Sequence, residues 1–333
     1  MPAPLEIHVP ISPTPNFLNR IHYLAASLQR AGGLAAESAL VVTVGEDQEP
    51  VDLAAALPWS RKYPIRWRWL DRELFRQQSF YATAVDRFRV DFTSPMVLML
   101  DADVVIVKDF DDLARRSQQE QVFCGAIAHI SPFRADVSHP VPPQPALEQR
   151  SREEWWQEIF DRAGLGKAPF DCQHTGWNIL AAPTSRYCPP YFNLGVLLAP
   201  AEIAAGMGRT IFQDMAMLGT VMSTYFRCQI GVTMSLIRSG RPYYAMPMRY
   251  NFPNYMEMAQ AYPEDLEDVR IIHYINQDYL QKDRTLNSVE QVGEWLATSG
   301  PLPSVHQRLK DCFAELQPGI LEDPRSAKPV SAA

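Results

Sequence analysis

The 333-residue chain has no excess of basic residues: 31 Lys and Arg stand against 38 Asp and Glu, a formal net charge of -7. A general nucleic-acid binder needs a basic surface to displace counterions from phosphates, so this balance argues against that class and leaves room only for a local basic pocket. No apolar run approaches the roughly 20 residues needed to span a bilayer. The opening MPAPLEIHVPIS has neither the basic stretch nor the apolar core of a secretion signal. Cysteine is scarce. Cys124, Cys172, Cys188, Cys228 and Cys312 are odd in number, widely spaced and without a Cys-x-x-Cys pair. That pattern fits reduced thiols better than a disulfide framework or a structural zinc site. These absences point to a soluble, cytoplasmic protein with no transmembrane segment and no nucleic-acid partner.

What is present is a hydrophobic content of 47%, ample for a buried core, and an alternation of strand-like and helix-like segments. LEIHVPI reads as a strand. NFLNRIHYLAASLQRAGG follows with Phe17, Leu18, Ile21, Leu24, Ala25 and Leu28 at helical spacing, Thr14 and Pro15 at its start and Gly32 and Gly33 at its stop. ALVVTVG completes a βαβ unit, and IRWRWLD is a third strand. Phe80, Tyr81, Ala84, Val85 and Phe88 line a further helix, with Thr83 and Arg87 together on its flank. The pattern predicts an α/β fold with a mostly parallel sheet covered by helices and a ligand outside the carboxyl ends of its strands. From about residue 129 to 190 it degrades into an insertion of Pro-rich and loop-like segments around one short amphipathic helix, SREEWWQEIFDRAGLG. After YFNLGVLLAP the spacing predicts two helices through Ile237, one strand over RPYYAMPMRYNF and a short strand in VRIIHYI. Residues 1–318 form one domain in this reading, and 319–333 a small, polar, disordered tail.

The run MVLMLDADVVIV, Met96 to Val107, places Asp101 and Asp103 between five apolar residues and four. Uncompensated carboxylates have no place inside a buried strand. In an extended chain residues i and i+2 point to one side, so the two converge where the strand leaves the core. Two hard oxygen ligands there suit Mg2+ or Mn2+ on a phosphate. Taken alone, the pair could equally cap a strand end or start a turn.

In this context YATAVDRFRVDFTSPMVLMLDADVVIVKDFDDL resembles the metal-binding segment of retaining glycosyltransferases of family eight, which includes glycogenin and bacterial lipopolysaccharide galactosyl- and glucosyltransferases. Three further blocks follow in the family's order: YFNLGVLLAP resembles its Phe-Asn-x-Gly-Val-Leu block, YNFPN its Asn-Phe segment, and IIHYI its late His-Tyr strand. Together the four cover about half of the chain. The resemblance implies a GT-A type fold, a Rossmann-like, mixed and mostly parallel sheet flanked by helices, and an enzyme that takes its donor from a nucleotide-sugar. The insertion at 129–190 would then face the acceptor.

Position by position, the resemblance implies that Asp101 and Asp103 hold Mn2+ or Mg2+ on the donor diphosphate, with His273 as third ligand. Arg87 corresponds to a helix arginine that approaches the donor sugar and phosphates. Asn193 and Gly195 stand where amide and backbone meet sugar hydroxyls, and Gln229 contacts the sugar near its anomeric carbon. Ser12, Thr14 and Asn16 lie in the loop that takes the nucleoside, and Ala102 falls within the acidic motif. Plainer roles exist for several of these: a helix cap for Thr14, a packed residue for His273, a surface ion pair with Asp86 or Asp91 for Arg87, a turn for Asn193 and Gly195.

Two blocks depart from the family. Its Asp-Gln-Asp reads Cys228, Gln229, Ile230 here, so both carboxylates are missing; Cys228 reads as a buried structural thiol rather than a nucleophile. Its Gly-x-x-Lys-Pro-Trp loop reads INQDYLQKDR, in which Lys282 and Arg284 can supply positive charge for the leaving diphosphate. Asp171, His174, Trp177 and Asn178 have the composition of an acceptor-sugar surface, while Trp155 and Trp156 read as core and rim. The function implied is metal-dependent transfer from a UDP-sugar to a glycan, lipid or protein hydroxyl, with retention and with the leaving phosphate as proton acceptor. The missing carboxylates motivate an alternative, a degenerate module that binds nucleotide-sugar or glycan without turnover. A sugar nucleotidyltransferase is a third reading, but the Gly-rich, basic loop it needs after the first strand is lacking.

Overall fold

The computed structural model describes residues 3–128, 132, 151–173, 187–222 and 224–322. Its strands are β1 Leu5–Ile11, β2 Ala39–Val44, β3 Ile65–Trp69, β4 Met96–Leu100, β5 Val104–Ile106, β6 Phe123–Ile127, β7 Cys172–Gln173, β8 Tyr187–Cys188, β9 Phe192–Pro200, β10 Tyr243–Ala245, β11 Phe252–Pro253 and β12 Ile271–His273. Seven of them form one sheet in the order β10-β6-β9-β4-β1-β2-β3. Only β9 runs against its neighbours β4 and β6, so the sheet is mostly parallel, as the sequence pattern predicts, and mixed, as the resemblance implies. The βαβ start also matches. Thr14 caps the helix Pro15–Ala31 by accepting from Phe17 N, and Gly32 takes a positive φ of 73° at its end.

Continuous apolar sequence in β4 follows from burial on both faces. Met96, Leu98 and Leu100 pack into one hydrophobic cluster with β1 and the helix Pro15–Ala31. Val97 and Met99 pack into a second, with the helices Phe80–Asp86, Ala201–Gly208 and Arg227–Ser239. β9 repeats the alternation beside it, with Val196 and Leu198 on one side and Leu197 and Ala199 on the other.

Several elements are shorter than their patterns suggest. Met96–Val107 is not one strand: the chain turns at Ala102 and Asp103, and β5 leaves the large sheet to pair antiparallel with β12 in a three-stranded sheet β11-β12-β5. The stretch RPYYAMPMRYNF divides into β10, a 3-10 turn Met248–Tyr250 and β11. Three helices rather than two, Ala201–Gly208, Ile211–Val221 and Arg227–Ser239, occupy the segment through Ile237. Pro318 does not end the ordered chain, because the helix Ser304–Leu321 passes through it. Burial of Ile320 on the last turn offsets the hydrogen bond a proline cannot make. Residues 323–333 of the expected tail lie outside the described residues.

Within the insertion, the helix Arg152–Arg162 has a capping box between Ser151 and Glu154. Trp155 and Trp156, expected as core and rim, are both buried, and Trp156 meets the Tyr191 ring edge-on at 5.0 Å. This helix therefore packs onto the domain, in a third cluster with Leu218, Met222, Ile230 and Met234.

A buried carboxylate anchors the opposite end of β1. Glu6 accepts hydrogen bonds from Thr93 N at 3.2 Å, from Thr93 Oγ1 and from Arg66, and lies 3.3 Å from His8 Nε2. Burial alone would raise its pKa, but these partners lower it from 4.5 to about 2. A depressed folded-state value stabilises the fold above the unfolded pKa, and that stability is lost as pH falls through the folded one. Glu6→Gln should therefore cost about 3 kcal/mol near neutrality and flatten the decline in stability between pH 4.5 and 2. Urea unfolding across that range tests this; an unchanged acid slope would show that Glu6 is not the group responsible.

Candidate active site

The carboxyl ends of β1, β2, β3 and β4 open on one edge of the sheet, and antiparallel β9 enters from the same edge. Asp101 continues the β4 to β9 pairing by donating its N–H to Gly195 O at 3.0 Å. In the small sheet, His273 of β12 is in register with Val104 of β5, and Tyr274 N–H reaches Asp103 O at 2.9 Å. That register carries His273 to the acidic pair. Its Nε2 lies 3.1 Å from Asp103 Oδ1 and 4.0 Å from Asp101 Oδ2. One atom from each of Asp101, Asp103 and His273 falls within 4.8 Å of the others. The carboxylates converge through the turn at Ala102–Asp103, not through the extended spacing the sequence suggests. Tyr274 holds that turn by donating its hydroxyl to Ala102 O at 3.3 Å.

The charges are balanced from several directions. Burial would raise the Asp103 pKa, yet His273 and Lys282 hold it well below the usual carboxylate range. Lys282 Nζ pairs directly with Asp103 Oδ2. Arg87 lies fully buried beneath Asp101, donating to Leu100 O at 2.9 Å and Leu194 O at 3.1 Å, with Asp101 Oδ1 at 3.5 Å. It is neither a surface ion pair nor a group reaching out over the edge. Burial weakens its hold on its proton and Asp101 strengthens it, and a guanidinium stays charged through such opposition.

The helix Pro15–Ala31 positions the Lys282 turn. Asn16 Nδ2 donates to Lys282 O, Asn19 Nδ2 to Leu286 O at 3.0 Å, and Arg20 to Asp283 at 2.8 Å. Asn16 thus gives its NH2 group to the backbone that carries Lys282, while its buried Oδ1 has no hydrogen-bond partner among the described residues. Thr14 is exposed and caps its helix, and Ser12 is half-buried just past β1.

A chain of amides links the remaining residues. Gly195 N–H donates to Asn193 Oδ1 at 2.8 Å, Asn193 Nδ2 to Gln229 Oε1 at 3.4 Å, and Gln229 Nε2 to Tyr191 Oη at 3.1 Å. Asn251 Nδ2 also donates to Asn193 Oδ1, at 3.1 Å, while Asn251 Oδ1 lies 3.2 Å from His273 Nδ1. Gln229 therefore belongs to the network that ends on His273. Its neighbours do not: Cys228 Sγ faces Tyr81 O at 3.8 Å, burial pushes its thiol up to about 12, and Ile230 lies in the core. A thiol so protonated is no nucleophile at neutral pH.

Asn251 and Tyr191 were not singled out by sequence, although both lie within the matched blocks YNFPN and YFNLGVLLAP; neither periodicity nor spacing marks a side chain whose task is to orient another. Asp171, expected on an acceptor surface, accepts from Tyr243 Oη at 2.6 Å. His174, Trp177 and Asn178 lie outside the described residues. Arg284 sits on the short helix Lys282–Thr285, where only Lys282 meets the acidic pair.

No protein-family model matches this chain, and no curated protein matches its sequence. Among solved structures, it is similar to galactosyltransferase LgtC in complex with donor and acceptor sugar analogues: 17% identity, a TM-score of 0.51, and coverage of 92% of this chain and 99% of that one. An active-site mutant of LgtC, in which a glutamine is replaced by glutamate, gives 13% identity, a TM-score of 0.50 and coverage of 91% and 99%. This likeness shows the fold, a GT-A type sheet.

Gly195 sets how closely the imidazole can lie. A Cβ at this position would stand 2.1 Å from His273 Cε1 and 2.2 Å from Nδ1, so a side chain must displace the ring. Two carboxylate oxygens and an imidazole nitrogen suit Mn2+ or Mg2+. Gly195→Ala should therefore weaken Mn2+ binding about 10–100-fold, measured by titration calorimetry on the folded variant. Unaltered affinity would show that the backbone yields instead of the ring.

Proposed function

We propose that this chain is a metal-dependent glycosyltransferase that moves a sugar from a UDP-sugar to a hydroxyl of a glycan, lipid or protein, with retention of configuration. The observation that carries the reading is the convergence of Asp101, Asp103 and His273 at the carboxyl edge of a GT-A sheet. A divalent cation held there would neutralise charge on the diphosphate as it leaves the sugar. LgtC, on the same fold, has been captured with donor and acceptor sugar analogues, which supports a sugar donor as the ligand of this chain.

In this reading Asp101, Asp103 and His273 are the metal ligands. Arg87 is a positioning residue, since its contacts fix Asp101 and the carbonyls of Leu100 and Leu194. Lys282 can exchange its bond to Asp103 for a diphosphate oxygen and so place positive charge on the leaving group. Gln229, with Asn193 behind it, presents an amide to the sugar near the centre where the bond breaks. In this reading Ser12 and Ala102 belong to the donor side, and the acceptor hydroxyl would pass its proton to the leaving phosphate. No helix among the described residues is long and apolar enough to cross a membrane. The five unpaired, buried thiols support a reducing, cytoplasmic setting.

The second reading, a GT-A module that binds nucleotide-sugar without turnover, is favoured by the neutral thiol and core isoleucine at positions 228 and 230. Hydrolysis of UDP-sugars with Mn2+ decides between them. Under the first reading, wild type turns over at least one donor and Asp103→Ala loses about a hundredfold or more of that activity. Retained UDP binding with no metal-dependent turnover of any common donor would establish the second.

A further inference from the structure

We infer that Asn251 is a positioning residue that fixes His273 in one tautomer, with hydrogen on Nδ1 and the Nε2 lone pair turned toward Asp101 and Asp103. The assignment follows from a donor that cannot be reversed. A backbone N–H only donates, so the Asn193 side-chain atom 2.8 Å from Gly195 N is the amide oxygen. The Asn251 atom 3.1 Å from that oxygen must then be its NH2 group, because two amide oxygens would repel. This turns Asn251 Oδ1 toward His273 Nδ1, 3.2 Å away. An amide oxygen can only accept, so Nδ1 carries the hydrogen. With that hydrogen kept on Nδ1, Nε2 is the ring nitrogen whose lone pair a cation would take.

Rigid backbone enforces the geometry at both ends. Asn251 is fully buried, its N–H bonds to Met248 O at 2.9 Å, and the next residue enters the β11 to β12 pairing that also carries His273. Gly195 N–H lies in β9, beside Asp101. The same Gly195 amide orients Gln229 through the other arm of Asn193, so one backbone donor aligns both sides of the site. Nε2 faces Asp103 Oδ1 at 3.1 Å and Asp101 Oδ2 at 4.0 Å, so the ring nitrogen that Asn251 does not engage is the one placed to join the acidic pair around a cation. This inference rests on the metal-site reading proposed above and adds what selects the ligating nitrogen.

The test uses the full chain with Mn2+ as the only probe, together with 15N spectra of histidine-labelled protein. In metal-free wild type, His273 should carry hydrogen on Nδ1. Asn251→Leu, folded with a thermal transition like that of wild type, should lose this preference and bind Mn2+ about 10–100-fold more weakly. Asn251→Asp keeps an acceptor opposite Nδ1 but sets an oxygen against Asn193 Oδ1, so it should retain the hydrogen on Nδ1 in the 15N spectra that Asn251→Leu loses. A wild-type Nδ1 without hydrogen, or wild-type Mn2+ affinity in Asn251→Leu, would overturn the inference. Should wild type bind no Mn2+, the metal reading fails while the 15N spectra still decide the role of Asn251; those wild-type spectra also serve if Asn251→Leu does not fold.

Discussion

Two carboxylates at the end of a strand buried on both faces set the condition that the surrounding structure must meet. Charge brought to the edge of a core is costly unless it is paired and hydrogen-bonded. Asp101 and Asp103 are paired from several sides: Arg87 from within the core, Lys282 from a short helix and His273 from a second sheet. Each partner is delivered by a different element. The site consequently depends on how those elements are packed against one another.

That dependence explains features that look incidental in isolation. The break between β4 and β5 lets the chain leave the large sheet and pair with β12, which is the step that brings His273 to Asp103. Antiparallel β9 inserts beside β4, so Asn193 and Gly195 arrive at the edge where the parallel strands end. The glycine is needed because an imidazole lies where its side chain would be. Asn16, Asn19 and Arg20 commit the polar face of the first long helix to the turn that carries Lys282. A loss of charge pairing at any of these points would leave a buried carboxylate exposed to the full cost of its desolvation.

The blocks matched in sequence were sound guides to which residues meet, and weaker guides to what each does. Asp101, Asp103 and His273 come together across 170 residues of chain, as their motifs imply. Arg87, read as a ligand contact, is buried against Asp101 and two backbone carbonyls, and Asn16 gives its NH2 group to the Lys282 turn, because the sequence does not reveal which side of a helix a neighbouring strand or turn will cover. Cys228 and Ile230 show the same principle in reverse. Their identities announce a departure from the family pattern, but only the packing shows that one meets Tyr81 and the other the core, while Gln229 joins the amide network that reaches His273.

By itself, the sequence determined the mixed α/β class, the first βαβ unit with its Thr14 cap and Gly32 stop, the doubly buried β4, and the position of the acidic pair at its end. These are local properties, set by the spacing of apolar residues and the conformational limits of proline and glycine. Only the tertiary structure decided that the acidic run would break into two strands, that Lys282 would neutralise Asp103, and that Asn251 would stand between Asn193 and His273. Those outcomes depend on contacts between segments far apart in the chain, where register and burial, not neighbouring residues, fix which atoms can meet.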